Sequence, residues 1–210
     1  MGVTDPPVRS RFCQYPVTAE VAGVDEVGRG ALFGPVVAAA VLLPPVAAES
    51  LFQAGVTDSK QLTPQRRQLL STQIRSVALD WQIGYVSAAA IDRINILQAS
   101  LLAMKRAISR LSPPLNLCLI DGNQPIPQLG LAQQTVVKGD SRSLAIAAAS
   151  ILAKVWRDTL IVRLEQRYPG YDLASNKGYG SAKHLAGLAR LGPSRQHRKS
   201  FRSCQLELPL

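Results

Sequence analysis

The chain has 210 residues, of which 47% are hydrophobic, and this suits one globular domain with a buried core. Its 24 Lys and Arg residues outnumber 14 Asp and Glu residues, giving a net charge of +10 that favours polyanionic partners such as nucleic acid or an anionic membrane surface. Three cysteines without a CxxC spacing support neither a disulfide framework nor a zinc site, and they favour a cytoplasmic location.

The first 17 residues have little periodic pattern, so we expect a flexible segment there. The chain then alternates between short apolar runs and segments of helical periodicity. The predicted elements are strands over 20–27 and 34–43, a helix starting at Thr63-Pro64, a strand over 79–87, a helix over 88–111, strands in LNLCLID and AQQTVVKGD, a helix over 141–168, a loop in YPGYDLASNKGYGS and a short helix over 182–191. This order predicts a mixed α/β domain with helical material added at its C-terminus.

Residues 31–48 carry no charged side chain and therefore raise the question of a membrane segment. Gly34, Pro35 and the tandem Pro44-Pro45 interrupt the stretch, and consecutive prolines break a spanning helix. We interpret it as a buried strand with its exit turn and expect no membrane partner.

Four acidic residues stand out because each lies where a strand ends or a helix begins. They are Asp25 and Glu26 at the end of the first strand, Asp121 at the end of LNLCLID, and Asp140 just before the long helix. In an α/β sheet such positions gather along one edge. Converging carboxylates without a nearby His or Cys suit Mg²⁺ or Mn²⁺, and two such ions can activate water and stabilise the leaving 3′-oxygen in phosphodiester cleavage.

Simpler interpretations exist for two of these acids. Asp140 could cap the following helix, and Asp121 with Gly122 could form an ordinary turn. The apolar flanks of Asp25 and Glu26 offer no such explanation, because two adjacent charges there repel each other.

The glycines after the first strand superficially resemble a dinucleotide-binding fingerprint, GxGxxxG over Gly28, Gly30 and Gly34. Pro35 and a Val- and Ala-rich strand follow where that fingerprint needs a helix. The two preceding carboxylates would also repel a pyrophosphate. We therefore disfavour this interpretation.

Six ordered blocks together resemble the ribonuclease HII family, the bacterial type-2 ribonucleases H, from about residue 21 to residue 201. The blocks are AGVDEVGRG, DSKQL, LIDGN, VVKGDSRS, AAASILAKVWRD and NKGYGSAKH. The resemblance implies a ribonuclease-H-like mixed five-stranded sheet with flanking helices and a helical C-terminal extension. It also implies hydrolysis of the RNA strand of RNA–DNA hybrids and incision 5′ to single ribonucleotides embedded in duplex DNA, with 3′-hydroxyl and 5′-phosphate products.

The same resemblance assigns residues to roles and divides the chain. Its metal-binding catalytic carboxylates correspond to the four acids above, with two Mn²⁺ or Mg²⁺ ions as cofactor. Its substrate-binding residues correspond to Gly28, Arg29 and Gly30 of the GRG element, Lys60 of DSK, and Tyr179, which packs on a sugar at the RNA–DNA junction. The implied division is a flexible segment over 1–17, a catalytic domain over 18–168, a recognition extension over 169–203 and a tail over 204–210.

Some of these residues also have plain structural interpretations. The GRG element could be a tight turn with one solvated Arg, and Tyr179 could merely anchor its glycine-rich loop. Lys138, Lys177 and Lys183 are further candidate phosphate contacts on a basic surface. Asp158, inside the long helix, is a supporting or salt-bridging residue.

The last six residues, Gln205–Leu210, resemble the short peptides by which bacterial repair proteins bind the sliding clamp. Such a peptide must be extended and free, and the preceding basic RQHRKSFRS predicts a flexible connection. The alternative is a tail folded back onto its own domain. Nothing in the sequence demands a dimer, and we expect a monomer.

Two other functions are compatible with clustered acids on a basic chain. A junction resolvase would share these features but lack the GRG and KGYG elements. A catalytically silent nucleic-acid-binding protein would bind the same substrates without cutting them.

Overall fold

A five-stranded sheet forms the centre of the computed structural model, which describes residues 14–205. In chain order the strands are β1 (Val21–Val27), β2 (Val36–Leu42), β3 (Asp80–Val86), β4 (Leu117–Asp121) and β5 (Gln133–Val136). Their order across the sheet is β3-β2-β1-β4-β5, with β1–β2 and β2–β3 antiparallel and β1–β4 and β4–β5 parallel. The carboxyl ends of β1 and β4 therefore lie side by side.

Six α-helices cover and connect these strands within the described part of the chain. They are α1 (Ala48–Gln53), α2 (Pro64–Val77), α3 (Ala88–Ile108), α4 (Leu144–Glu165), α5 (Leu173–Asn176) and α6 (Ala182–Leu191). The 3₁₀ turns are Pro45–Ala47, Ser59–Gln61, Gly139–Ser141 and Arg202–Cys204. Four helices begin after a hydroxyl that accepts the N–H three residues on, supplied by Thr63, Ser87, Ser143 and Ser181.

The sheet is buried on both faces, which explains why β2 reads as a continuous apolar run. Alternate residues of β2 point to opposite sides, so that Ala38 and Ala40 pack towards α3 while Ala39 and Val41 pack towards α2 and α4. All seven residues of β2 are buried. The middle of the sheet is therefore a three-layer core.

Helix α4 approaches β1 more closely than a side chain would permit. A Cβ placed on Gly23 would lie 2.1 Å from the carbonyl carbon of Ala145 and 2.3 Å from the nitrogen of Ile146. Both atoms are backbone, so neither can rotate away. Gly23 therefore sets the spacing between the sheet and the N-terminal turn of α4, two residues before Asp25.

A smaller apolar core joins the C-terminal part to the segment between β1 and β2. Its buried members are Leu32, Phe33, Ile161, Tyr171, Leu173, Leu188 and Cys204. The carbonyl of Gly178 accepts the N–H groups of Leu32 at 2.8 Å and Phe33 at 3.2 Å. The chain that follows the first strand is thus held against the chain that precedes α6.

The predicted elements differ from the structure mainly in their ends. The helix expected over 141–168 runs from Leu144 to Glu165, and the one expected over 88–111 ends at Ile108. Asn95 interrupts that helix with a φ of 64°, and its side chain accepts the N–H of Gln98, as the cap of a second helical segment does. The stretch YPGYDLASNKGYGS, expected as a loop, contains α5.

Two predictions concern the chain ends. Of the N-terminal segment expected to be flexible, residues 1–13 lie outside the described residues, while Val17 packs against the core on the α4 side. Most of the predicted clamp-binding tail, residues 206–210, also lies outside them. The basic stretch before that tail was expected to be flexible, and this is wrong for Arg198, which is fully buried.

Across residues 14–205, no helix combines the length and apolar character needed to cross a bilayer.

Replacing Gly23 by Ala tests the close packing of α4 on β1. We expect the free energy of unfolding to fall by at least about 2 kcal/mol, because the added methyl group meets backbone atoms. Urea unfolding measures this, with Gly30→Ala as the matched control, since a Cβ at Gly30 meets no atom within 4 Å. A Gly23→Ala protein as stable as wild type would contradict the packing described.

Candidate active site

Three carboxylates converge where β1 and β4 end. Val24 and Ile120 are partners in the parallel β1–β4 pair, which places Asp25 beside Asp121, and Glu26 follows. One oxygen from each of these three carboxylates lies within 4.8 Å of the others. Oxygen donors alone, at this spacing, form the kind of site that hard divalent cations occupy.

Asp25 is the most enclosed member of this cluster, with 5% of its surface exposed. Burial raises its pKa well above the ordinary value, and the charges of Glu26 and Asp121 raise it further. A hydrogen bond from Ser150 and one from the N–H of Glu26, at 2.6 Å, act in the opposite direction. Burial also raises the pKa values of Glu26 and Asp121. The cluster is thus short of positive charge, and a bound cation would relieve this.

The neighbouring 3₁₀ turn, Gly139–Ser141, supports Asp121 from the opposite side. The N–H of Gly139 donates to Asp121 Oδ1 at 2.7 Å. A Cβ on Gly139 would lie 2.5 Å from Ile146 Cδ1 and 3.1 Å from the same Asp121 oxygen. A side chain at this position would therefore force Ile146 and Asp121 to shift, and a glycine lets the turn approach the carboxylate without that shift.

Asp140 lies in this turn, next to the cluster but outside the three groups that share it. Its Oδ2 is 3.6 Å from Nζ of Lys60, and burial, with the nearby carboxylates of Asp58 and Asp121, raises its pKa. Asp140 does not cap α4, as its simpler interpretation required, because Ser143 does. Lys60 is largely exposed and is the cation that faces this edge of the site.

The GRG element forms a turn held from inside the protein by Arg198. The guanidinium of Arg198 donates to three carbonyl oxygens, those of Gly28 at 2.7 Å, Arg29 at 2.7 Å and Gly34 at 3.1 Å. Burial lowers the pKa of Arg198 to about 9, and the charge of Arg157 contributes. The side chain of Arg29 is half-exposed, with its Nη1 3.5 Å from Glu26 Oε1.

A second buried arginine, Arg157, ties the next stretch of chain to the loop that carries Lys177 and Tyr179. It donates to the carbonyl oxygens of Pro35 at 3.1 Å, Phe33 at 3.0 Å and Lys177 at 2.9 Å. Gly28 has a φ of 90°, and a Cβ there would overlap Nε of Arg157 at 2.2 Å. The first glycine of GRG is thus required both by its backbone conformation and by this arginine.

Tyr179 lies on the surface of this pair of loops. Its ring is 5.4 Å from Cζ of Arg157 and 5.6 Å from Nζ of Lys154, within cation–π distance of both. The preceding Gly178 has a φ of 85° and lies against the Phe33 carbonyl. The ring is consequently held against Arg157 and Lys154, in a loop that is hydrogen-bonded to the chain after the GRG turn, and these contacts also anchor that loop.

The structure therefore brings together two groups of the residues singled out by sequence. Asp25, Glu26 and Asp121 share one cluster, and the GRG turn and Tyr179 lie against a common pair of buried arginines. Asp158 is outside the cluster and pairs with Lys154 at 3.0 Å.

Sequence reasoning missed the roles of Arg157 and Arg198 and the contact between His184, which it left as a substrate-side or structural residue, and His197. One signal was present for Arg157, since it is a charged side chain in the middle of an apolar helix. The carbonyl partners of the two arginines and the contact between the histidines lie far apart in the chain, so no local pattern reveals them.

Solved structures of similar fold define the class of protein. The chain superposes on ribonuclease H2 from Pyrococcus horikoshii with a TM-score of 0.76 and 28% identity, covering 88% of this chain and 95% of that one. It superposes on the ribonuclease HII in a PCNA complex from Archaeoglobus fulgidus with a TM-score of 0.71 and 28% identity, covering 85% and 92%. The fold is that of a type-2 ribonuclease H, and the acidic cluster lies at its strand ends.

The family follows from the sequence comparison. The family model described as Ribonuclease HII matches residues 22–204. The ribonuclease HII of Acaryochloris marina (strain MBIC 11017) is 66% identical over 189 residues, which are 90% of this chain and 96% of that protein. The chain belongs to the ribonuclease HII family, and it is an endoribonuclease that hydrolyses RNA–DNA hybrids. The fold and family expected from the six sequence blocks are confirmed.

Replacing Asp121 by Asn tests the electrostatics of the cluster. Because the three folded-state pKa values are raised, the folded protein binds more protons than the unfolded chain, and without metal its stability falls as pH rises above about 4. We expect Asp121→Asn to increase the metal-free free energy of unfolding at pH 7 by about 1 kcal/mol and to reduce the rise in Tm caused by Mn²⁺.

Thermal unfolding at several pH values, with and without Mn²⁺, measures both effects. Asp158→Asn is the control and should respond to Mn²⁺ as wild type does, because Asp158 is outside the cluster. An Asp121→Asn protein stabilised by Mn²⁺ as much as wild type would show that the ion binds elsewhere.

Proposed function

We propose that this endoribonuclease incises duplex DNA 5′ to a single embedded ribonucleotide, leaving 3′-hydroxyl and 5′-phosphate ends. The observation that supports this is that the acidic cluster continues directly into the GRG turn, while Arg157 lies against both Gly28 of that turn and the ring of Tyr179. A site that must recognise one ribose next to a deoxyribose needs contacts to two adjacent sugars beside the reacting phosphate. The two buried arginines fix the distance between the GRG turn and the loop that carries Tyr179, which are the candidate contacts to the two sugars.

Asp25, Glu26, Asp121 and Asp140 are the proposed ligands of divalent ions, Mg²⁺ or Mn²⁺, two in number. Raised carboxylate pKa values and mutual repulsion in the first three fit a site completed by cations. When bound, such ions supply a Lewis acid that polarises the phosphate and lowers the pKa of water. The protein's own part is to hold these four carboxylates, which come from β1, β4 and the turn Gly139–Ser141, at a spacing that the packing of α4 maintains.

The GRG turn is the proposed contact for the ribose. Recognition of a 2′-hydroxyl needs polar groups that can come close to the sugar, and glycines allow the backbone to do so. Gly30 has open space around it, since a Cβ there would meet no atom within 4 Å. Arg29, half-exposed beside Glu26, is placed to donate to a phosphate with its planar guanidinium.

Tyr179 is the proposed contact for the adjacent deoxyribose. Its ring packs on an apolar sugar face, while a 2′-hydroxyl at the same position would meet that ring without a hydrogen-bond partner. Lys60, exposed beside Asp140, is a candidate for the neighbouring phosphate, as is Lys154 beside the tyrosine ring. These cations would account for the salt dependence of substrate binding.

The C-terminal Gln205–Leu210 is the proposed binding segment for the bacterial sliding clamp. The archaeal relative of known structure was solved as a complex with PCNA, a finding that concerns that protein. Support in this chain comes from the peptide itself, which begins directly after the buried Cys204 at the edge of the small C-terminal core. Leucines at alternate positions of an extended peptide can enter an apolar pocket.

The incision itself can be mapped on matched duplexes that contain one ribonucleotide, four ribonucleotides or none. We expect wild type to cut once, immediately 5′ to the single ribonucleotide, and to leave the all-DNA duplex intact. Asp121→Asn should lower cleavage by about 10²–10³-fold or more while substrate binding persists. Equal cutting of the duplexes with and without a ribonucleotide would contradict the proposal.

The proposed role of Tyr179 can be measured in the same assay. Tyr179→Ala should lower kcat/KM on the single-ribonucleotide duplex by about 10–100-fold, because it removes a contact worth about 1–3 kcal/mol. Tyr179→Phe, which keeps the ring, should retain most of the activity. An unchanged ratio between the single-ribonucleotide and hybrid substrates in Tyr179→Ala would remove Tyr179 from the recognition site.

Deletion of Gln205–Leu210 tests the clamp segment separately. We expect the truncated enzyme to lose binding to purified bacterial sliding clamp in a surface-immobilised assay and to cut short oligonucleotides at the wild-type rate. The full chain with Leu208→Ala provides a smaller change with the same expected loss of binding. A truncated protein that still binds the clamp would place the contact elsewhere.

A further inference from the structure

The two histidines of the chain are in contact within the small C-terminal core, next to the loop that carries Tyr179. His184 lies in the first turn of α6, and His197 lies in the segment that follows α6. Both are essentially buried, with 0% and 1% of their surfaces exposed, and their Nε2 atoms are 3.1 Å apart. Neither ring is in the acidic cluster, so hydrolysis as proposed makes no use of them.

The hydrogen-bond partners at the two outer ends of this pair determine where the protons lie. His184 Nδ1 is 2.8 Å from the carbonyl oxygen of Tyr179, which can only accept, so Nδ1 of His184 carries a proton. His197 Nδ1 receives the backbone N–H of Ser194 at 2.9 Å, so that nitrogen carries a lone pair. With both rings neutral, His197 Nε2–H must donate to His184 Nε2.

The result is a directed chain of hydrogen bonds that runs from Ser194 through both rings to Tyr179. An additional proton on His184 would set a donor against a donor at the contact between the rings, and one on His197 Nδ1 would oppose the N–H of Ser194 and leave the Ser194 hydroxyl, also at 2.9 Å, as its acceptor. Burial lowers the pKa of both histidines, in His197 to about 4, with a further contribution from His184. The rings of Tyr171 and Phe33 pack against this pair and exclude water from it.

The residue after His197 is Arg198, whose side chain holds the carbonyls of Gly28 and Arg29. Two adjacent residues therefore hold both proposed sugar contacts. Arg198 bonds to the GRG turn directly, and His197 contacts His184, which in turn bonds to Tyr179. The backbone N–H of Arg198 also donates to the carbonyl oxygen of Leu32 at 2.9 Å, so the same residue is bonded to the chain that follows the GRG turn.

We propose that His184 is a positioning residue for substrate discrimination, which fixes the Tyr179 backbone relative to the GRG turn by donating its Nδ1–H to the Tyr179 carbonyl, while His197 selects the His184 tautomer that makes this donation. The inference rests on the proposed function, because it assumes that Tyr179 contacts the deoxyribose. It assigns to His184 no contact with substrate and no proton transfer. Its effect is on the ratio of activities towards the two substrate types, since a displaced Tyr179 no longer distinguishes the sugar beside the ribonucleotide.

Two amide substitutions separate the two ends of the His184 ring. Asn places its amide near the position of Nδ1, so His184→Asn can still donate to the Tyr179 carbonyl. Gln places its amide near Nε2, so His184→Gln keeps the contact with His197 and loses the bond to Tyr179. Both variants remove the ring packing against Tyr171, which makes them a matched pair for stability.

We expect His184→Gln to lower the ratio of kcat/KM for a single-ribonucleotide duplex to kcat/KM for an RNA–DNA hybrid by about tenfold, the worth of one buried hydrogen bond. His184→Asn should retain a ratio within about twofold of wild type. Equal ratios in the two variants, with both folded by circular dichroism, would overturn the inference, since a purely structural histidine would affect both alike.

The wild-type protein offers a test that requires no variant. Because the chain contains two histidines, a side-chain ¹⁵N–¹H correlation spectrum at neutral pH contains two ring systems. We expect the Nδ1–H tautomer for His184 and the Nε2–H tautomer for His197, assigned with His184→Asn. The opposite tautomers, or a charged ring, would exclude the chain of hydrogen bonds and with it the inference.

These outcomes are distinguishable from failure of the proposed function. If Tyr179→Ala loses discrimination and His184→Gln retains it, the role of Tyr179 stands and the role of His184 is wrong. If Tyr179→Ala itself retains discrimination, the proposed sugar contact fails, whatever the tautomers of the two histidines.

Discussion

The repulsion among carboxylates at the ends of β1 and β4 is the constraint around which the rest of the structure is arranged. Asp25, Glu26 and Asp121 approach within 4.8 Å although burial raises all three pKa values and like charge raises those of Asp25 and Glu26 further. Their positions are set by parallel strand pairing and by the close contact of α4 at Gly23, neither of which requires a cation. The fold thus holds the carboxylates in place before an ion binds. The binding of a divalent ion therefore does not have to bring them together.

The proposed recognition elements, the GRG turn and the Tyr179 loop, depend on rigidity of a different kind. Arg157 and Arg198 are fully buried cations without a carboxylate partner among the hydrogen bonds they make, and each is solvated instead by three backbone carbonyls. Burying a charge costs free energy unless its donors are hydrogen-bonded. Displacing these loops would remove the carbonyl partners and leave a buried guanidinium unsatisfied. The arrangement favours one spacing between the GRG turn and the Tyr179 loop. Such stiffness suits a site that compares two adjacent sugars.

Sequence reasoning reached the sheet, the family and the three clustered acids because each has a local signal. Apolar runs mark the buried strands, and Asp25 and Asp121 follow such runs directly. The recognition network has no comparable signal, since Arg198 bonds to residues about 170 positions earlier in the chain and His184 matters through His197. Helix ends were missed for a similar reason: Asp140 and Ser143 are both plausible caps, and only the turn at Gly139 decides between them. Asn95 interrupts a helix whose apolar pattern continues across the break.

Whether the clustered carboxylates hold divalent ions can be determined by diffraction from crystals soaked in Mn²⁺. Anomalous scattering recorded on both sides of the Mn absorption edge locates the ions independently of the protein coordinates. We expect Mn²⁺ density in contact with both Asp25 and Asp121. Mn²⁺ bound only elsewhere, with these two carboxylates pointing apart, would contradict this expectation.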